Sequence, residues 1–363
     1  MNELAFGLVG CGKIARRHAN LLGKGEIAGA ALAAVCDLDQ AAADNFASEY
    51  GVKAFPDPKS MAASDEVDVL SILTPSGAHA ENVIELAPFG KPIIVEKPLA
   101  LRLEDADRVI EVCDRFGVKL FVVKQNRFNE PVVQLRKALN EGRFGQLVLG
   151  TVRLRWCRPQ SYYDEAPWRG SWQHDGGVLT NQCSHHIDLL VWLMGEVESV
   201  FAKSTRALAN IEAEDTAVVT IKFKNGALGI IEATTATRPK DLEGSLSILG
   251  EKGSVVVGGF AANELTTWQF SEPVSGDEHV FEKHGRNPDH PFGYAHKMYY
   301  EHVVDCIANE GRQLVDGLDG RKSLELISAI YESVETGKEI NLRFSPRRCR
   351  LGQPSTNDLG IQD

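Results

Sequence analysis

The chain has 363 residues and a mass of 39.7 kDa, 43% of them hydrophobic and 25% charged, which excludes a disordered polar chain and allows two domains of about 150 residues. A formal charge of -11 and a pI near 5.5 argue against general nucleic-acid binding, which needs a basic face. The seven cysteines, Cys11, Cys36, Cys113, Cys157, Cys183, Cys306 and Cys349, are scattered with no C-x-x-C pair; with no leader-like start and no run of about 18 apolar residues, they fit a reducing, cytoplasmic compartment and no membrane span.

The first third repeats one unit. Leu4 to Val9 predicts a strand and Ile14 to Leu22 a helix. A strand from Ala30 to Cys36 ends at Asp37 and precedes a helix from Ala41 to Tyr50. Val67 to Leu73 is a third strand, closed by Thr74-Pro75-Ser76 and a helix over Ala78 to Pro88. The apolar run Ile93 to Val95 ends in Glu96-Lys97-Pro98, and a helix over Leu103 to Phe116 leads to the strand Lys119 to Val123. Strands alternating with single helices imply a parallel sheet with right-handed crossovers. Residues buried on both faces of such a sheet read as short continuous apolar runs.

The pattern changes near residue 124. A short helix over Leu135 to Asn140 precedes a long strand, Leu147 to Trp156, and Ile187 to Met194 reads as a helix ending at Gly195. Residues 197–204, 215–223, 227–236, 244–249 and 254–257 are β-rich and mostly alternating, so this half is mainly antiparallel sheet. Helices over Tyr294 to Asn309 and Gly320 to Thr336, and a last strand over Ile340 to Phe344, precede a polar tail. The expected divisions are 1–123, 124–345 and a tail, 346–363.

Gly10-Cys11-Gly12-Lys13-Ile14-Ala15 fits G-x-G-x-x-A between the first strand and first helix. In that context the glycines admit a pyrophosphate to the helix N-terminus. Asp37 stands 25 positions beyond Gly12, within the spacing expected of an acid that accepts from a ribose 2′-hydroxyl and repels a 2′-phosphate. Leu38 adds no positive charge, so NAD is expected over NADP. Asp37 could alternatively cap the next helix, a task Asp39 would serve equally well. Thr74 and Pro75 should border the same crevice. His79 could approach the cofactor or satisfy a local contact; position alone does not choose. Lys97, at the carboxyl edge of a buried strand, is placed to act on a bound molecule.

The second half carries a polar block from Trp168 to Asp188. On a helix Asn181, His185 and Asp188 would share a face at i, i+4 and i+7. No metal-binding H-E-x-x-H or comparable cluster accompanies them, so no metal is expected, and His186 should lie on another face. Arg153 and Arg155 alternate onto one strand face, with Arg158, Tyr162, Tyr163, Trp168, Arg169 and Trp172 following. Arginines can clamp a carboxylate or phosphate, and aromatics can cover a sugar, but the strand arginines could instead face solvent.

Together the glycine fingerprint, Glu96-Lys97-Pro98, and Gly176-Gly177 through His185 and Asp188 resemble the glucose-fructose oxidoreductase/inositol dehydrogenase/MocA family over nearly the whole chain. The resemblance implies an α/β fold: an N-terminal Rossmann parallel sheet and a C-terminal α/β domain built on a large, mostly antiparallel open sheet that supports homodimers or homotetramers. It implies an NAD-dependent sugar dehydrogenase. Lys97 matches the family lysine that contacts nicotinamide ribose and substrate hydroxyl, and His185 the acid/base histidine. Asn181 replaces a common aspartate and keeps hydrogen bonding without charge. The Lys97-Pro98 bond is expected to be cis.

Lys124-Gln125-Asn126-Arg127-Phe128, Trp168 to Trp172, Asn181-Gln182 and Gly320 to Ser323 extend the resemblance to family members oxidising a UDP-sugar uronate at C3, before amination in surface-polysaccharide synthesis. The expected cofactor contacts are thus Gly10, Cys11, Gly12, Lys13, Ile14, Asp37, Leu38, Thr74, Pro75, His79, Glu96, Lys97, Arg127, Trp168 and Arg169. The expected substrate contacts are Lys97, Arg155, Arg158, Tyr163, Asn181, His185 and Asp188. An inositol or simple sugar dehydrogenase, and a non-catalytic dinucleotide sensor, are the alternatives.

Overall fold

The structure is a computed structural model that describes residues 3–286, 293–343 and 345–354. It divides into two compact units: 1–123 with 296–321, and 124–295 with 322–363.

In the first unit, β1 (Leu4–Val9), α1 (Lys13–Gly23), β2 (Ala30–Cys36), α2 (Gln40–Tyr50), β3 (Lys53–Phe55), α3 (Pro58–Ala63), β4 (Val69–Ile72), α4 (His79–Leu86), β5 (Ile93–Val95), α5 (Leu103–Phe116) and β6 (Leu120–Val122) follow in order. The strands form a parallel sheet in the order β3-β2-β1-β4-β5-β6. Strand order reverses between β1 and β4, so their carboxyl ends flank the crevice where such sheets take ligands. β4 and β5 are fully buried, as an all-parallel centre covered on both faces requires. The sequence reading missed β3 and α3. Lys53–Phe55 is too short and too exposed at Lys53 to show a period, and α3 starts only because Asp57 caps it ahead of Pro58.

Then come α6 (Glu130–Asn140), β7 (Leu147–Arg155), α7 (Gln160–Asp164), α8 (Ser184–Met194), β8 (Val197–Thr205), β9 (Thr216–Phe223), β10 (Leu228–Thr234), β11 (Glu243–Gly250), β12 (Gly253–Gly258), β13 (Glu264–Phe270) and α9 (Val280–His284). They are followed by α10 (Ala295–Ala308), α11 (Gly317–Thr336) and β14 (Ile340–Asn341). Apart from its first residue, α10 belongs to the first unit, as does the start of α11 through Arg321. The second unit holds an eight-stranded sheet, β13-β12-β11-β7-β10-β9-β8-β14, antiparallel except for the β7–β10 pair.

Helix α8 covers one face of that sheet. Gly150 of β7 sits so close to Leu190 and Met194 of α8 that a Cβ there would overlap both, and the buried residues Val152 and Leu154 share its side of the strand. The opposite face exposes Phe201, Val218, Leu228 and Ile230. The expected last strand ends at Asn341, and its Phe344 lies outside the described residues. No helix among the described residues is long and apolar enough to cross a membrane.

Candidate active site

The glycine turn lies at the β1–β4 reversal. Gly10 has φ +101°, and a Cβ there would come within 2.9 Å of the Leu73 carbonyl oxygen, so both conformation and space demand glycine. A Cβ on Gly12, the N-cap of α1, would meet nothing within 4 Å. That leaves the helix end open for an anion. The Asp37 carboxylate accepts the Cys11 N–H at 2.7 Å and the Asp39 N–H at 2.9 Å, which fixes it at the end of β2 with acceptor capacity to spare. Asp39, not Asp37, caps α2 by accepting from the Ala41 and Ala42 N–H groups. Leu38 is fully exposed beside it. Burial, reinforced by Asp37, pushes the Cys11 thiol up to about 12, so it is a wall of the turn and no nucleophile. Open helix end, close-approach glycine and oriented ribose-type acid fit a dinucleotide.

Lys97 follows β5 at the same edge, and its bond to Pro98 is cis, as expected. Its backbone is held on both sides. Glu96 accepts the Lys97 N–H at Oε2, 3.0 Å away, while Glu96 Oε1 lies 3.0 Å from His18 Nε2. His79 sets Nδ1 2.7 Å from the Pro98 carbonyl and Nε2 2.9 Å from the Thr74 carbonyl. The expectation that Glu96 and His79 touch the cofactor is therefore corrected. Both are buried and turned inward, and the alternative left open for His79 closes on a local contact. Burial lowers the pKa of His79 against its two carbonyl acceptors, which favour the protonated ring. Burial raises Glu96, but the His18 hydrogen bond and charge, with His296 and Lys97, bring its carboxyl down to about 2. Thr74 borders Gly10, whose Cβ position lies 3.1 Å from the Thr74 N.

In the second unit α8 begins at Ser184, so Asn181 precedes the helix and the expected three-residue helical face reduces to His185 and Asp188. Asn181 Nδ2 donates to Asp175 Oδ1 at 2.5 Å. His185 is half-buried, its Nε2 3.2 Å from the Gln125 amide nitrogen. Asp188 is buried and takes a bidentate pair from Arg127, at 2.8 and 2.9 Å, with Lys124 at 3.7 Å. Burial alone would raise the Asp188 pKa; Arg127 and Lys124 outweigh it and lower it. These contacts correct two expectations: Asp188 anchors the 124–127 turn rather than a substrate, and Arg127 is its buried counter-ion rather than a cofactor group. His186 lies on another face, as expected, with burial lowering its pKa to about 4.

Arg155 pairs with Glu232, at 2.6 and 2.8 Å, and with Glu243. By strand alternation it occupies the face of β7 opposite α8. The sheet thus separates it from His185, and its expected place beside that histidine is corrected. Arg158 pairs with Asp241 at 3.0 Å and lies over the Trp156 ring. The buried Tyr163 hydroxyl meets Thr235 Oγ1 at 2.9 Å. Arg169 differs. It lies over the Tyr162 ring at 4.0 Å and touches Glu165 through Nη2, while its buried Nε and Nη1 have no hydrogen-bond partner among the described residues. Buried guanidinium donors without acceptors call for an anion.

Sequence reasoning overlooked Glu214. This fully buried acid braces the turn ahead of α8: its Oε1 accepts the Leu179 N–H and the Tyr331 hydroxyl, each at 3.0 Å, and its carbonyl takes the Val178 N–H. A Cβ on Gly177 would overlap it, which explains the second glycine of Gly176-Gly177. Burial, with the nearby Asp175 charge, raises its pKa to about 7.

The class defined by this open parallel sheet, its glycine turn and its oriented acid is that of the dinucleotide-binding proteins. Two family models refine it: the oxidoreductase-family NAD-binding Rossmann fold matches residues 4–124, and the oxidoreductase-family C-terminal alpha/beta domain matches residues 136–342. The chain belongs to the Gfo/Idh/MocA family and is an NAD-dependent oxidoreductase. It is similar to the WlbA dehydrogenase of Bordetella pertussis, solved in complex with NADH and UDP-GlcNAcA. The two are 41% identical with a TM-score of 0.88, over 94% of this chain and 98% of that one. It is also similar to myo-inositol 2-dehydrogenase of Thermotoga maritima, 28% identical over 93% of this chain and 98% of the relative. The scyllo-inositol 2-dehydrogenase of Bacillus subtilis is 26% identical over 94% and 97% respectively.

Two neighbouring acids should separate cleanly. Asp37→Ala should weaken NAD binding in a titration and, by stranding the Cys11 and Asp39 N–H groups, also lower the melting temperature, whereas Asp39→Ala should cost about 1 kcal/mol of stability as a lost cap and leave NAD affinity intact. Glu214 makes stability pH-dependent. Its folded pKa of about 7 exceeds the unfolded value of 4.5, so the folded state binds the extra proton and this contribution is present below 4.5 and lost as pH rises through 7. Denaturant titrations should show about 3 kcal/mol of such decline across that window, removed by Glu214→Gln. Asp188→Asn, which strands buried Arg127, should cost about 3 to 5 kcal/mol in the same titration.

Proposed function

We propose that the protein oxidises a UDP-linked N-acetylated sugar uronate at C3, in reversible hydride transfer to NAD. The observation that carries this reading is the 41% identity over 98% of a WlbA dehydrogenase whose structure holds NADH and UDP-GlcNAcA. Bound nicotinamide would supply the hydride acceptor. Gly10, Gly12, Lys13 and Ile14 at the α1 end would seat its pyrophosphate, with Asp37 on a ribose and Leu38 beside the base. Thr74 and Pro75 would line the crevice, and Arg169, with Trp168, would hold an anionic oxygen.

As the C3–H bond breaks, the hydroxyl proton must leave and a carbonyl forms. His185 takes that proton, since a neutral imidazole is the side chain suited to it near neutral pH. The Gln125 amide nitrogen facing Nε2 matches an unprotonated acceptor there; a turned amide, presenting oxygen, would match the protonated ring. The Lys97 ammonium stabilises the developing oxyanion. Asn181, held by Asp175, orients the sugar by hydrogen bonds. Arg158 and Tyr163 are assigned to the substrate side on residue type, an arginine for an anion and an aromatic for a sugar. The inositol dehydrogenase relatives favour a second reading, oxidation of a free cyclitol. The exposed sheet face bearing Val218, Leu228 and Ile230 supports association into a homodimer or homotetramer, and a reducing cytoplasm suits the seven free thiols.

NAD reduction should be followed with UDP-N-acetylglucosaminuronate, UDP-N-acetylglucosamine and free inositol. The uronate should give the highest kcat/KM; preference for either other compound overturns the substrate assignment. Lys97→Ala and His185→Ala should each lose about 10²- to 10⁴-fold in turnover, and near-normal turnover in both would defeat the mechanism.

A further inference from the structure

We propose that His18 is a positioning residue for Lys97, acting through Glu96. The inference rests on the reading that Lys97 touches the reacting hydroxyl, and every group in it belongs to the first unit. His18 sits in the buried stripe of α1 with Ala15, Ala19 and Leu22, where burying an imidazole is unfavourable unless its nitrogens find partners. Both do. Nδ1 is 2.5 Å from the Tyr300 hydroxyl of α10, and Nε2 is 3.0 Å from Glu96 Oε1. The other Glu96 oxygen accepts the Lys97 N–H at 3.0 Å. A continuous set of contacts therefore runs from α10 through α1 to the amide of the lysine, while His79 grips the carbonyl of Pro98 on the far side. His296, its ring 5.7 Å from that of His18, is among the other titratable groups that interact with the carboxylate, with His79, Tyr299, Tyr300 and Lys97.

These three donors, His18, Glu96 and His296, are the one group among the described residues that converges as metal ligands would. The direct His18–Glu96 contact, backed by Tyr300 and the Lys97 N–H, instead makes a hydrogen-bonded relay of orientation. An ionised Glu96 is the better acceptor for the Lys97 amide and places a negative charge behind the ammonium. Without a donor at position 18 that buried carboxylate would take a proton. It would then hold the amide less firmly, and a displacement of about 1 Å at a reacting group can cost about 10²-fold in rate.

His18→Phe should lower kcat by about tenfold or more, leave KM for NAD within about twofold, and introduce an acid limb into the kcat profile, with activity recovering as pH rises and Glu96 ionises. His18→Gln restores one donor and should fall between; Glu96→Gln should be slow at every pH with no such limb. Should His18→Phe fail to fold, the two glutamine variants carry the test. Independently of substrate, NMR hydrogen exchange of the Lys97 amide should quicken about tenfold or more in His18→Gln and Glu96→Gln. Folded position-18 variants with wild-type kcat, pH profile and Lys97 exchange would overturn the inference. Lys97→Ala, run beside them on whichever of the three substrates the wild type oxidises, keeps the failures apart. Near-normal turnover there defeats the Lys97 reading itself, whereas a dead Lys97→Ala beside an unaltered His18→Phe defeats only the role of His18.

Discussion

A carboxylate removed from water is the constraint around which the first unit's working edge is built. Glu96 ends a strand that is buried on both sides, and a buried ionised acid survives only when its oxygens are occupied. His18 takes one and the Lys97 N–H takes the other. The consequence is geometric: the backbone of the residue after the acid cannot move without breaking that hydrogen bond, so the main chain of Lys97 is held at the sheet's carboxyl edge. The glycine turn and Asp37 occupy neighbouring strand ends of the same reversal. The glycine turn, Asp37 and Lys97 therefore share an edge because of strand order.

The second unit solves a similar problem with opposite charges. Arg127 and Lys124 are buried and must be neutralised, and Asp188 of α8 does so. That bond ties the 124–127 turn to α8, and Gln125 of the same turn reaches His185. The segment ahead of the helix is braced from beneath by Glu214 and Tyr331. Half-buried His185 and Asn181 are thus carried on a scaffold of fully buried, mutually bonded residues.

Much of this was readable in the residues. Continuous apolar runs marked β1, β2, β4 and β5, and alternation marked β8 to β12, because burial on two faces and on one face leave different periods. Gly10, Gly12 and Asp37 announced the nucleotide turn by spacing. What could not be read was partnership across the chain. Glu96 and His79 looked like cofactor contacts by position, yet each spends its polar atoms inward. Asp188 looked like a substrate group, yet its charge answers Arg127, 61 residues away. Asn181 fell off its expected helix because α8 starts later, after the braced turn at Gly176-Gly177. One signal went unused, His18 interrupting the small apolar stripe of α1; Glu214, between Glu212 and Asp215 ahead of β9, gave none, because three acids in four positions read as a solvated turn. β13, with only Leu265 buried, left too weak an alternation to detect.

The proposed reaction centres on a single bond: hydride would leave C3 of a nucleotide-linked uronate for nicotinamide, with His185 taking the hydroxyl proton and Lys97 stabilising the oxygen. The most direct measurement supplies UDP-N-acetylglucosaminuronate bearing deuterium at C3, and follows NAD reduction in a single turnover with mass analysis of the nicotinamide. The account predicts a primary isotope effect and deuterium at C4 of the reduced cofactor. Deuterium retained in the sugar, with reduction proceeding from another carbon or failing altogether, would contradict it.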